Sequence, residues 1–261
     1  MRNPLLISLV VLTTLLSCKK DTAEKNDLIL KQNTTNEIHF FTSDSVKIYG
    51  DMYIQNHLAP TILLLHQAGS NAKAEYKNII PQLHANGFNT LAIDQRVGSS
   101  HFYGGTNRTA AQLKTNQYNF CDAYADVDAA LNYIKTTQIK GKIILWGSSY
   151  SGSLAIQLAN KNNAKVNGVL AFSPASGGPM ENCNPEVYFE TLKLPLLILR
   201  PFSEMQSRKS QSQFEAAKLY GHKTYVAQNG IHGSSLLDES RVEGSTDENW
   251  TVVNTFLEQF K

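Results

Sequence analysis

Ser149 stands in Trp146-Gly147-Ser148-Ser149-Tyr150-Ser151-Gly152, entered by the apolar run Lys142-Ile143-Ile144-Leu145-Trp146 and left by Ala155-Ile156-Gln157-Leu158-Ala159. A strand that runs without a loop into a helix at a serine is the pattern of a nucleophile elbow, which lifts the hydroxyl clear of the sheet. The turn is so tight that the residues two before and two after the nucleophile nearly meet, so both must be small. Here they are Gly147 and Ser151. This points to Ser149 as an acyl-transfer nucleophile. The departure is Ser151, where the usual pattern has glycine, although Gly152 follows at once. A second frame would put the nucleophile at Ser151; Ser149 is preferred because a strand ending at Trp146 leaves Ser151 already inside the helix. The short pattern alone also occurs in ordinary strand-to-helix turns.

A serine hydroxyl needs a base to take its proton and a carboxylate to orient that base. Where the nucleophile sits on such an elbow, the chain order is serine, acid, histidine. Two histidines follow Ser149. His232 lies in Asn229-Gly230-Ile231-His232-Gly233, a flexible loop after the last strand-like run, whereas His222 precedes that run and belongs at the opposite end of the sheet. The acid is expected just beyond the strand-like run 195–199, where Glu204 is the one carboxylate of Arg200-Pro201-Phe202-Ser203-Glu204-Met205. Asp238 comes after the base and would break the order. Asp94 ends an earlier strand and suits tying down its own loop; Asp126 and Asp128 fall within a helix. The oxyanion needs two backbone N–H donors. Tyr150 follows the nucleophile directly, and Gln67 in His66-Gln67-Ala68-Gly69-Ser70-Asn71 is the expected second donor. His66, closing a strand, suits bracing that turn by hydrogen bonds.

The elements that must position these residues alternate strand and helix from the middle of the chain onward, which argues for a mostly parallel sheet covered on both faces. Strands are expected at 37–42 and 46–54, close enough to pair as an antiparallel hairpin, and at 61–66, 89–94, 142–146, 166–172, 195–199 and 223–227. Helices are expected at 72–85, 122–137, after the elbow, at 211–220 and at 249–260. The loop 95–119 and the segment 174–192 are the candidates to roof the site, and no insertion is long enough for a separate lid domain.

Residues 1–17 read as a targeting signal: Arg2 is a short basic start, 5–16 is an apolar run too short to span a bilayer, and Leu15-Leu16-Ser17-Cys18 closes it. Cysteine after Leu-Leu-Ser looks like a bacterial lipobox, with Cys18 as the lipidated first residue; a plain cleaved signal is the alternative. Residues 18–36 read as a polar tether and 37–261 as one α/β domain. This places the protein in the bacterial cell envelope, on the membrane through Cys18. A net charge of +2, without dense Lys/Arg clusters, gives no argument for nucleic acid. Cys121 and Cys183 form an even pair in an exported chain and read as a disulfide, with two free thiols as the alternative. Their spacing suits no common zinc site.

Leu65-His66-Gln67-Ala68-Gly69-Ser70, Ala92-Ile93-Asp94-Gln95-Arg96, the elbow, Glu204 and His232-Gly233 together make the chain resemble the α/β-hydrolase superfamily. Within it, the chain resembles the lidless dienelactone-hydrolase-like and serine-aminopeptidase-like esterases. The resemblance spans nearly the whole domain. It implies an eight-stranded, mostly parallel sheet with helices on both faces, and a serine hydrolase without metal or organic cofactor acting on a small-molecule ester. It fixes neither the substrate nor the oligomeric state. Dienelactone hydrolases proper carry cysteine at the nucleophile, so serine here argues against that reaction. A peptidase or amidase on the same triad, and a non-catalytic binding lipoprotein, are the competing readings. Phe102, Tyr103, Tyr118, Phe120, Tyr188 and Phe189 could line an acyl or aryl pocket or simply pack the loops. Asn107-Arg108-Thr109 is polar enough to meet a carboxylate or a sugar.

Overall fold

Near-continuous apolar runs form the centre of the domain because parallel strands are covered on both faces. The computed structural model describes residues 36–114 and 117–261. The signal, the lipobox Cys18 and the tether up to Thr35 lie outside the described residues. Eight strands are present in the described residues: β1 (Glu37–Phe41), β2 (Lys47–Tyr53), β3 (Thr61–Leu65), β4 (Asn89–Asp94), β5 (Ile143–Ser148), β6 (Gly168–Phe172), β7 (Leu196–Pro201) and β8 (Lys223–Ala227). They form one sheet in the order β1-β2-β4-β3-β5-β6-β7-β8. The hairpin of β1 and β2 is antiparallel, as is its pairing with β4, and every pairing from β4 to β8 is parallel. This is the eight-stranded, mostly parallel sheet that the resemblance implies.

Alternation along the strands divides the core. Leu63, Leu65 and Leu145 pack with Val127, Leu131, Leu154 and Leu158 on one face. Ile62, Leu64 and Trp146 pack with Tyr76, Leu83, Trp250 and Val253 on the other. The covering helices are α1 (Ala72–Tyr76), α2 (Ile80–Ala85), α3 (Tyr124–Thr136), α4 (Tyr150–Lys161), α5 (Arg208–Leu219) and α6 (Asp247–Leu257). The single helix expected over 72–85 is broken. Pro81 stands in the first turn of α2; it has no N–H to continue a helix from α1, so the chain closes a turn at Ile79 and restarts.

Because β3, β5, β6, β7 and β8 run parallel, their carboxyl ends share one edge. Ser149, Ser173, the 3₁₀ turn Phe202–Gln206 and the loop before Gly233 all leave the sheet there. Above that edge, Cys121 and Cys183 are bonded, with Cα atoms 5.6 Å apart, joining the end of the 95–119 loop to the 174–192 segment. The two expected roofing segments are therefore stapled to each other. In the chain-entropy picture, a crosslink of this separation stabilises by on the order of 4 kcal/mol.

Candidate active site

Ser149 leaves β5 with φ 59° and ψ −125° and is followed at once by α4. A positive φ is costly for a residue with a Cβ, and such strain persists only where the surroundings hold it. Here the backbone does so: Ser149 N–H donates to the carbonyl of Phe172, and the Ser149 carbonyl accepts from Gly152 and Ala175. A Cβ on Gly147 would sit 2.2 Å from the Ser151 carbonyl oxygen, which is the small-residue demand read from the spacing. Ser151, the second frame read from the sequence, is occupied by scaffold contacts. Ser151 is fully buried within α4, and its hydroxyl donates to the carbonyl of His66 and meets Gln95 Oε1 at 3.1 Å.

His232 and Glu204 arrive at the same edge from β8 and β7. His232 Nδ1 lies 2.6 Å from Glu204 Oε1. The ionised carboxylate can only accept there, so the proton sits on Nδ1 and Nε2 carries the lone pair. No hydrogen bond joins Nε2 to the Ser149 hydroxyl among the described residues. The imidazole is 51% exposed and Ser149 is half-buried, so both face the open space above the sheet.

Glycine is required after the histidine on two grounds. Gly233 has φ +72°, and a Cβ there would lie 2.2 Å from Ser148 Oγ. The loop is pinned to the elbow through Ser234 N–H to Ser148 Oγ at 2.9 Å and Trp146 Nε1 to Ser234 Oγ at 2.8 Å. Trp146 stacks on Phe172 in the core, so the packing beneath the sheet also fixes the loop that carries the imidazole. Ser173, another non-glycine residue at positive φ (48°), ties the remaining pieces together. Its hydroxyl donates to Glu204 Oε1 at 2.9 Å and accepts from Gly233 N–H at 3.1 Å. Burial raises the Glu204 carboxyl pKa, but the hydrogen bond and charge of His232, then Arg200 and Ser173, outweigh it and hold that pKa below the usual range.

The expected second oxyanion donor is corrected. Gln67 N–H is already committed to Glu75 Oε2 at 2.9 Å, in a fully buried contact. An amide bound to a carboxylate cannot also serve an oxyanion. The next amide along the turn, that of half-buried Ala68, makes no hydrogen bond among the described residues. Tyr150, opening α4, likewise keeps its N–H free as one of the unpaired donors of a helix start.

Several other residues singled out in the sequence serve the scaffold. Fully buried His66 accepts from Gln95 N–H at Nε2, 2.9 Å, and contacts the Gln67 carbonyl through Nδ1, 2.8 Å. Burial lowers its pKa against the pull of Asp94, and the neutral ring braces the turn as expected. Asp94 caps the start of α1 through Ala72 N–H and holds Arg108. Asn107-Arg108-Thr109 is spent internally, on Gln95, on Asp94 with Asp51 and Glu37, and on Tyr49, so it is not offered to a ligand. Asp126 pairs with Arg96 in the interior, and Asp238 pairs with Arg241 and Asn78. His222, before β8, binds the Phe189 carbonyl, away from the elbow.

The aromatics divide. Phe189 is buried, Phe120 stacks on Tyr150, and Tyr118 lies over the Arg96 guanidinium. Phe102 is 44% exposed and packs its ring against Gly69, one residue beyond Ala68. Sequence reasoning missed Ala68, Ser173 and Arg200, none of which has a side-chain type or spacing that signals its place at this edge.

Over residues 56–233 the sequence matches the family described as serine aminopeptidase, S33. No curated protein matches the sequence. Among solved structures, the chain is similar to the esterase Pf2001 of Pyrococcus furiosus, with 19% identity, a TM-score of 0.63, and 87% of this chain and 91% of that one covered. It is similar to Est1E from Butyrivibrio proteoclasticus, at 11% identity and TM-score 0.64, covering 86% and 98%. It is also similar to the acylaminoacyl peptidase of Pyrococcus horikoshii, at 16% identity and TM-score 0.62, covering 90% of this chain and 43% of that one. At these identities the likeness to the solved structures is one of fold.

Proposed function

The chain belongs to the serine aminopeptidase S33 family, and from that membership we propose that it hydrolyses carboxylic esters through an acyl-enzyme on Ser149. The observation that carries this reading is the strained, backbone-held Ser149 at the same sheet edge as His232, whose Nδ1 is occupied by a carboxylate and whose Nε2 has no hydrogen bond among the described residues. Ser149 Oγ attacks the acyl carbon, its proton passes to His232 Nε2, and the carbonyl π electrons move onto the oxygen. The amides of Tyr150 and Ala68 receive that oxyanion. The bond to the alkoxy oxygen then breaks as the imidazolium returns the proton to the leaving alcohol. Water repeats the sequence on the acyl-enzyme, with His232 again as base and Glu204 holding its tautomer. Side-chain rotation brings Ser149 and His232 into contact, as is common where the catalytic hydrogen bond tightens only with substrate bound.

Ester is favoured over amide because no inserted cap domain stands among the described residues, and because exposed Phe102 beside the oxyanion turn offers an apolar wall to an acyl or aryl group. The peptidase reading keeps its place through the family match and the peptidase fold neighbour. A panel of matched chromogenic esters and amides decides between them. Burst kinetics and turnover on short-chain or aryl esters, with amides at least tenfold slower, is the expected result; faster amide cleavage would transfer the assignment to peptidase. Absence of any adduct with a fluorophosphonate probe would return the protein to the non-catalytic reading.

The lipobox reading extends to location: lipid on Cys18 would hold the enzyme on the bacterial cell envelope. Cys18→Ser is expected to move the protein from the membrane to the soluble fraction of a bacterial host, and unchanged fractionation would refute the anchor.

A further inference from the structure

Glu204 has two oxygens in unequal company. Oε1 receives His232 Nδ1 and the Ser173 hydroxyl, while Oε2 receives Arg200 Nη1 at 2.5 Å. Arg200 ends β7 beside Pro201, is 6% exposed, and holds its second nitrogen, Nη2, on the Pro174 carbonyl and on Gln213 Oε1. Gln213 is itself fixed, donating to Glu186 Oε1 at 2.8 Å and to the Pro174 carbonyl. A buried guanidinium is costly unless it is paired and hydrogen-bonded. This one is placed where it grips the far oxygen of the candidate acid.

We propose that Arg200 is a positioning residue for the hydrolytic reaction: it locks the Glu204 carboxylate with Oε1 toward His232 and sets the pH at which the His232–Glu204 pair releases its proton. The inference rests on the triad reading above. Two consequences follow from the geometry. A guanidinium forked between Glu204 and the Pro174–Gln213 anchor removes rotational freedom from the carboxylate, so the imidazole keeps one tautomer and one orientation. Its positive charge also opposes a proton on the pair, whichever of the two groups carries it. Other charged groups coupled to this assembly are Glu186, through Arg200, and Glu75, which faces His232 from α1 and whose carboxyl pKa is pushed up by burial and opposed by Arg241. Arg200 is the cation in direct contact with the pair, through Glu204 Oε2.

The experiment is the pH dependence of kcat/KM on a chromogenic short-chain ester for wild type, Arg200→Met and Arg200→Lys. Without the cation the pair holds its proton to higher pH. Arg200→Met should move the acid limb upward by about one pH unit, costing about tenfold on that limb and recovering toward alkaline pH. Arg200→Lys, a cation without the fork, should move the limb less and lower kcat with KM within about twofold. A loss that is even across pH, or no loss, overturns the proposal, since a merely structural arginine leaves the limb in place. If Arg200→Met does not fold, Arg200→Lys decides: wild-type kcat and an unmoved limb would overturn it. Wild-type protein without ester turnover would instead refute the triad reading, so the two failures remain distinct.

Discussion

Ser149→Ala is expected to lower kcat for ester hydrolysis by about five to six orders of magnitude, to the residual level that oxyanion donors and binding alone provide. Chemistry is separated from folding here because the bonds that hold Ser149 itself are main chain. The bonds to Phe172, Gly152 and Ala175 use the Ser149 N–H and carbonyl, and alanine keeps the Cβ that already tolerates φ 59°. The unfolding midpoint should therefore stay where it is while burst kinetics and fluorophosphonate labelling vanish together. Ser151→Ala is the matched control. It removes a buried hydroxyl from the His66 carbonyl and Gln95 and leaves the nucleophile intact, so it should lower stability while labelling persists. Turnover within tenfold of wild type in Ser149→Ala, measured on folded protein, would remove Ser149 from the reaction.

The sheet was legible in the sequence because it rests on strong local signals. Apolar runs such as Ile62-Leu63-Leu64-Leu65 have one physical solution in a chain that alternates them with amphipathic helices. The elbow was legible for a related reason: its demand for small residues is steric and falls within a few positions of Ser149. His232 could be read because it lies in the loop after the last strand-like run; the backbone demand at its neighbour Gly233, φ +72° against Ser148, is visible only in the structure.

What escaped the sequence depends on partners distant along the chain. Nothing local in Gln67 shows that its amide will be taken by Glu75 from the next helix, which shifts the available donor to Ala68. Asn107-Arg108-Thr109 looked ligand-ready because polar side chains reveal their partners only once β2 and β4 are brought beside them. Arg200 stands four residues before Glu204, but nothing local shows that its guanidinium turns to that carboxylate. The break within 72–85 has its local signal in Pro81, which a single helix over that span leaves out of account.

Glu204→Gln is expected to lower kcat by about 10⁴-fold with little effect on the fold, because the amide cannot satisfy its neighbours without reversing the imidazole. Both carboxylate oxygens face donors: His232 Nδ1 and Ser173 Oγ on one side, Arg200 Nη1 on the other. Glutamine has one acceptor end and one donor end. If its oxygen faces His232, its NH₂ group meets the Arg200 N–H in a buried, donor-against-donor contact. If its oxygen faces Arg200, its NH₂ group meets Nδ1, which must give up its proton to become an acceptor. The second arrangement avoids the donor clash at the buried Arg200 and prevails, leaving the Ser173 hydroxyl without its acceptor, but it moves the ring proton to Nε2, where it blocks transfer from Ser149.

The same carboxylate also shapes acid stability. A pKa held below its unfolded value contributes stability above pH ~4.3 that is lost as pH falls through the folded value. The glutamine variant should lack that component, so its unfolding midpoint should change less than that of wild type between neutral and acid pH. Ester turnover within tenfold of wild type, or an unaltered slope of stability against pH, would show that Glu204 is not the group orienting His232.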